Sequence, residues 1–325
     1  MLFILMIIIP MDFDKIPKTK ISDWEKSETT EKQDKPKTNT IKIDINETLR
    51  IKNNDTEEIE EVSQRDYVIG AVCAEMPPSF HKEALKAQAV ASHTYALYNK
   101  SLSKNKDFNF TANPQQFKGY AKYDDIKERY GNNFEEYYGK VKDAVDEVFE
   151  DILVYDDRVI LSCYHAMSNG TTETAENVWN ESLPYLKPVE SEGDLLNPRY
   201  EEDIVYTEKE AENLLKSHFP DIKLINDKSK WFNILENSDS GYVKKIKVGD
   251  TETTGPEVRK IFDLRSACFD ITFENEQFTF TTKGYGHGVG LSQVGSDFLA
   301  RQGKSYDEIL LHYFTDAEIK KAKTK

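Results

Sequence analysis

The chain has 325 residues and a formal net charge of −15, with 43 Lys plus Arg against 58 Asp plus Glu. That length allows one large domain or two ordinary ones, and an apolar share of 38% with 17 Tyr and 17 Phe excludes a wholly disordered chain. The acidic balance speaks against nucleic acid as a partner, because sequence-independent phosphate binding needs net basic surface.

Residues 1–10, from Met1 to Pro10, form an apolar run. It is shorter than the ~20 residues that cross a ~30 Å hydrocarbon layer. It has no basic n-region and no small-residue cleavage site. We expect the remnant of a membrane anchor, since an exposed apolar tail invites aggregation. Residues 11–40 are polar, carry both charge signs and show no apolar periodicity, which predicts a disordered tether. Residues 41–320 are expected to form one large mixed α+β domain.

Within that domain, Ile41, Ile43 and Ile45 alternate as in a strand. Val62, Tyr67, Val68, Ala71 and Val72 follow helical spacing, with Ser63 placed as a cap and Pro77-Pro78 ending the helix after Glu75. An alanine-rich helix is predicted over His81–Lys100 and a further helix over Phe134–Phe149. Strands are expected at Ile152–Tyr155, Val159–Tyr164, Tyr242–Val248, Cys268–Phe273 and Gln277–Thr282. Helices at Glu208–His218 and Tyr306–Tyr313 complete the chain, and no internal repeat is present.

Three places could carry chemistry. Gly284-Tyr285-Gly286-His287-Gly288-Val289-Gly290 fits neither GxGxxG nor a P-loop. Alternating glycines around one His predict repeated positive φ or close backbone approach. That is either a tight strand-to-helix turn or a cleft wall carrying His287. Ser162 to Thr172 is the second place: a strand would deliver Cys163 and His165 to one face, followed by a small polar loop. A metal there would need further ligands, and none lies at regular spacing. Cys73, Cys163 and Cys268 cannot all pair, and no CxxC occurs. Glu75 is the third. A carboxyl at a helix C-terminus meets the negative end of the macrodipole and apolar neighbours, which predicts a raised pKa. A general acid working near neutral pH needs that.

Several stretches taken together, in order, resemble the stage II sporulation protein D family. They are Ala71-Val72-Cys73-Ala74-Glu75-Met76-Pro77 with Ala84 to Ala91, Tyr164 to Thr172 with Val178-Trp179, Gly255 to Arg259 with Leu264-Arg265-Ser266, and Gly284 to Gln293. The resemblance covers about residues 41 to 314. It implies a helix-rich catalytic cleft and a peptidoglycan lytic transglycosylase acting in forespore engulfment. Glu75 matches the family's catalytic acid. Lys86, His165, Ser168, His287 and Gln293 are expected to line the cleft as substrate-binding residues. The implied partners are glycan strands, a sporulation peptidoglycan amidase and a multi-spanning membrane protein. The implied location is the mother-cell membrane, with an N-terminal anchor and an extracytoplasmic enzyme. The family also contains amidase enhancers, so a non-catalytic glycan-binding role is the alternative.

Two departures from the family pattern stand out. Where members commonly carry Arg, this chain has His93. Some members hold zinc in the segment matching Phe110 to Phe117, which here contains no thiol or imidazole. Zinc needs such ligands, so neither a metal nor another cofactor is expected. The globular part from about Thr40 onward should therefore keep its thermal midpoint in excess EDTA. A large drop, or stoichiometric zinc by elemental analysis, would reveal a site assembled from distant residues.

Overall fold

Residues 40–103, 106–116 and 119–323 are described by the computed structural model. The expected anchor and tether lie outside them, apart from Thr40, which already belongs to a strand. That strand, Thr40–Lys42, runs parallel to the last one, Glu318–Lys323. Both ends of the described chain thus share a sheet with Asp151–Tyr155 and Arg158–Val159.

The helices begin at a real cap. The Ser63 side chain accepts from the Asp66 N–H and starts helix α1, Gln64–Glu75. Met76 is extended, and the prolines that follow prevent continuation. The chain then reverses into helix α2, Lys82–Leu102. This helix is the axis of the larger core. It packs against α1, the helices Phe134–Val148, Gln293–Arg301 and Tyr306–Tyr313, and strand Asp151–Tyr155. Ala84, Ala87, Ala89, Ala91 and Ala96 are all buried on it, and their small side chains let neighbours approach from several sides. Its polar residues are buried as well and find partners. Gln88 Nε2 donates to Ser92 Oγ at 2.9 Å, and Thr94 Oγ1 accepts from the Leu153 N–H at 3.0 Å.

A second hydrophobic cluster, including Trp231, Phe262, Phe278 and Phe280, fills the stretch between about residues 200 and 283. Two antiparallel three-stranded sheets build it. One joins Glu201–Thr207, Gln277–Lys283 and Phe269–Glu274. The other joins Phe232–Asn237, Val243–Val248 and Thr251–Thr253. The result is the expected α+β mixture, as one domain with two cores. No helix among the described residues is long and apolar enough to cross a membrane.

The expected strand Val159–Tyr164 is interrupted. Only Arg158–Val159 and Tyr164–His165 are strands. Between them the chain bonds elsewhere: the Leu161 N–H donates to the Tyr185 hydroxyl, and Ser162 Oγ to the Ala91 carbonyl on α2. The strand expected over Ile41–Ile45 ends at Lys42.

Gly70 lies on the buried side of α1. A Cβ there would sit 2.3 Å from the Ala121 carbonyl oxygen, whose own N–H bonds the Gly70 carbonyl. Gly139, in helix Phe134–Val148, has open space instead. Gly70→Ala should therefore destabilise the fold by about 1–3 kcal/mol through overpacking. Gly139→Ala should stabilise it by up to about 1 kcal/mol through helix propensity. Denaturant midpoints of the two variants check both signs.

Candidate active site

Glu75 closes α1 with its side chain in the protein interior. Burial pushes its carboxyl up to about 7, and a hydrogen bond from Gln293 acts in the opposite sense. Gln293 opens the helix Gln293–Arg301 and is fully buried. Its Nε2 also donates to Gln88 Oε1 at 3.2 Å. A chain of bonds therefore runs from Glu75 through Gln293 and Gln88 to Ser92. The Ser92 hydroxyl bonds Tyr164, and the Glu75 charge acts on the phenols of Tyr67, Tyr95 and Tyr164. The surroundings are aromatic hydroxyls and amides. They can steady a carboxyl in either protonation state without supplying a cation.

The glycine run takes the conformation its pattern predicts. Gly284, Gly286, Gly288 and Gly290 all have positive φ, between 75° and 116°. At Gly290 a Cβ would lie 2.2 Å from the Cys163 carbonyl oxygen. The run thus lies against the segment Cys163 to Ser168 and ends in a short parallel pairing of Leu291–Ser292 with Tyr164–His165. That pairing delivers Gln293 to Glu75.

Strand alternation sends His165 to the opposite face from Tyr164. Its Nδ1 bonds the Val289 carbonyl at 3.1 Å, and its ring lies 5.7 Å from that of His287. The Val289 N–H donates to His287 Nδ1 at 3.0 Å, and Trp179 meets the His287 ring edge-on at 5.2 Å. Burial pulls the His165 imidazole down to about 4 and the His287 imidazole well below its ordinary value. The two imidazoles are therefore neutral at physiological pH. Neither figures among the groups that shift Glu75.

Three further expectations meet different surroundings. Ser168 is buried and gives both its N–H and its hydroxyl to Asp194 Oδ2, each at 2.7 Å. Ser292, the cap of helix Gln293–Arg301, donates to Asp194 Oδ1 at 2.7 Å. Ser168 is thus part of a structural knot behind Gln293. The Lys86 ammonium is held by Glu83 and Glu147, both at 2.7 Å, and lies over the Tyr306 ring. His93 does not replace the family's Arg as a cation. It bonds Gln64 Oε1 at 2.9 Å, stacks on Phe149, and is pulled down to about 4 by burial. Gln64 begins the helix that Glu75 ends, roughly 16 Å away at 1.5 Å per residue.

Sequence reasoning missed Asp194, Gln88 and the tyrosine ring around Glu75. Only the burial of a charged residue between polar loops distinguishes Asp194, and burial is not visible in a single sequence. The segment Phe110 to Gln116 offers no thiol or imidazole and does not fit zinc. Among the described residues no group of three or more His, Cys, Asp or Glu side chains is placed to hold a metal ion.

Comparison with known proteins supplies independent findings. The profile of the family described as "Stage II sporulation protein" matches residues 52–155. Stage II sporulation protein D of Bacillus subtilis is 33% identical over 268 residues, covering 81% of this chain and 76% of that protein. The protein of the same name from Bacillus amyloliquefaciens is 32% identical over 267 residues, covering 81% and 76%. An amidase enhancer of Bacillus subtilis is 23% identical over 303 residues, covering 75% of this chain and 39% of that protein.

The raised Glu75 carboxyl makes stability depend on pH. Its ordinary value is 4.5 and its folded value about 7. Below 4.5 the group is protonated in both states. Between 4.5 and 7 the unfolded chain releases the proton first, so stability falls as pH rises. Above 7 the loss is complete. Glu75→Gln, neutral throughout, should lack this decline. Its stability relative to the parent should rise from pH 4.5 to 7 and then level off in denaturant titrations. A pH-independent difference would show that the carboxyl is not raised.

Proposed function

The chain belongs to the stage II sporulation protein D family, and on that premise we propose that it is a peptidoglycan lytic transglycosylase acting in forespore engulfment. The observation that carries this reading is Glu75: one buried carboxyl, raised to about 7 and bonded by Gln293. At neutral pH such a group is available both as an acid and as a base.

In the proposed reaction Glu75 first donates its proton to the glycosidic oxygen between the N-acetylmuramoyl and N-acetylglucosaminyl units. The bond from the muramoyl C1 to that oxygen breaks. The muramoyl C6 hydroxyl then attacks C1 and gives its proton to the Glu75 carboxylate. The product carries a 1,6-anhydro end, and the enzyme returns to its starting state. The nucleophile belongs to the sugar, so one carboxyl serves both steps. A conventional hydrolase uses a second carboxyl, ~5–5.5 Å away for retention or ~6.5–9.5 Å for inversion. No second carboxyl is among the groups that act on Glu75. Gln293 is assigned the task of holding the Glu75 carboxyl in one orientation, and the loops carrying His165 and His287 the task of bordering the glycan.

The proposed setting follows the family resemblance. The enzyme would face the space outside the mother-cell membrane, tethered through the N-terminal segment, and work with a peptidoglycan amidase and a multi-spanning membrane protein. A second reading is a glycan-binding amidase enhancer without cleavage of its own. The neutral, core-facing His93 favours it, because the cation common in the family is then absent.

Glu75→Gln decides between the two. The variant keeps the shape and the bond to Gln293 but cannot cycle a proton. Release of anhydro-muropeptides should fall by about 10²–10⁴-fold, with glycan binding retained. A variant that keeps more than about a tenth of the parental rate would remove Glu75 from the acid–base role.

A further inference from the structure

A pocket opens beside His287, and Glu75 is not among the residues that line it. One wall comes from Glu173, Asn177 and Val178. The other comes from the second core's sheet and helix, through Val243, Pro256 and Arg259. Most polar groups in this pocket already have partners. Glu173 Oε1 accepts from the Thr174 N–H at 2.7 Å and from Asn177 Nδ2 at 2.9 Å, and its Oε2 accepts from the Ser238 hydroxyl. Lys244 is paired with Glu236 at 2.9 Å. His287 Nδ1 accepts from Val289, and its ring is neutral.

Arg259 differs. Its Nε donates to the Leu264 carbonyl at 3.1 Å. Among the described residues no acceptor reaches its two terminal nitrogens, and no carboxylate forms an ion pair with it. Asp263 acts on its charge only through space. The guanidinium is partly buried, and its charge also bears on both imidazoles, His165 and His287. A desolvated cation without a counter-charge is unfavourable unless a ligand supplies one. The free end of a guanidinium presents two parallel N–H donors, the geometry that matches a carboxylate. The apolar lining of Val178, Val243, Pro256 and Ala267 would exclude water from such a pair.

We propose that the pocket bordered by His287 and Arg259 is a second ligand site, distinct from Glu75, that binds a carboxylate through the Arg259 guanidinium. Peptidoglycan offers that group from two sources: the lactyl side chain of N-acetylmuramic acid and the C-terminus of a peptide. The site goes beyond the transglycosylase reading and does not depend on it, because it is defined by binding alone.

Binding titrations with the unaltered protein test it directly, without any substitution. N-acetylmuramic acid is compared with N-acetylglucosamine, which lacks the lactyl carboxylate. Alanylalanine is compared with its C-terminal amide. At least one acid form should bind about tenfold or more tightly than its neutral counterpart, the size expected for a charge-assisted bond. Preference in the sugar pair alone assigns the glycan carboxylate, preference in the peptide pair alone the peptide terminus, and preference in both a general carboxylate site. Arg259→Gln should abolish the preference, and Arg259→Lys should weaken it, since a point charge lacks the fork. Glu75→Gln should leave it intact, which separates this site from the acid. Equal binding of acid and neutral forms to the unaltered protein would overturn the proposal, as would an unchanged preference in a folded Arg259→Gln variant.

Discussion

The hydrogen bond between the Glu75 carboxyl and the Gln293 amide joins two segments more than two hundred residues apart in sequence, and both helices around it are arranged to bring those groups together. Glu75 is placed by the proline stop after α1. Gln293 is placed by the parallel pairing of Leu291–Ser292 with Tyr164–His165 and by the Ser292 cap. Behind that cap lies Asp194, which gathers Ser168 and Ser292 onto one buried carboxyl. In front lies α2, whose alanines allow the close approach and whose Gln88 takes the second bond of the Gln293 amide. Burying an acid without a cation raises its pKa. The fold accepts that penalty at Glu75 and surrounds the group with amides and phenols.

Other polar residues also join segments of the fold. Ser168 and His93 are both buried, and each ties segments of the chain together. His93 ties α2 to Gln64, whose amide in turn donates to the Asp44 and Glu47 carbonyls. Lys86 belongs to an ion-pair group with Glu83 and Glu147. Partly exposed pairs of this kind contribute modestly to stability. His165 and His287 share a neighbourhood with each other and, through His287, with Trp179, and Arg259 lines the same pocket as His287.

The legible parts of the sequence were those where local chemistry decides the backbone. Ser63 and the prolines bounded α1 in advance. The alanine stretch located α2 to within two residues at its C-terminal end. The glycine run announced its positive φ values because few side chains tolerate them. Less legible were elements whose form depends on tertiary partners. Strand Glu201–Thr207 alternates only between exposed and half-buried residues, so it carries little apolar signal. The helix Gln293–Arg301 contains Gly295 and Ser296, poor helix formers that are buried against neighbouring segments. Val159–Tyr164 read as one strand because its apolar residues are continuous, but bonds to Ala91 and Tyr185 draw its middle out of the sheet. At the site, Glu75 and Gln293 lay in recognisable motifs. Asp194 and Gln88 did not, since their importance comes only from what folds against them.

The central claim is that a single carboxyl, Glu75, cleaves glycan strands with the sugar's own C6 hydroxyl as nucleophile. Mass analysis of the ends formed when the purified protein digests peptidoglycan glycan strands tests it most directly. The account predicts 1,6-anhydro-muramoyl ends. Reducing muramoyl ends would assign a hydrolase with a second carboxyl, and intact strands would assign a binding protein. Either result would contradict the account.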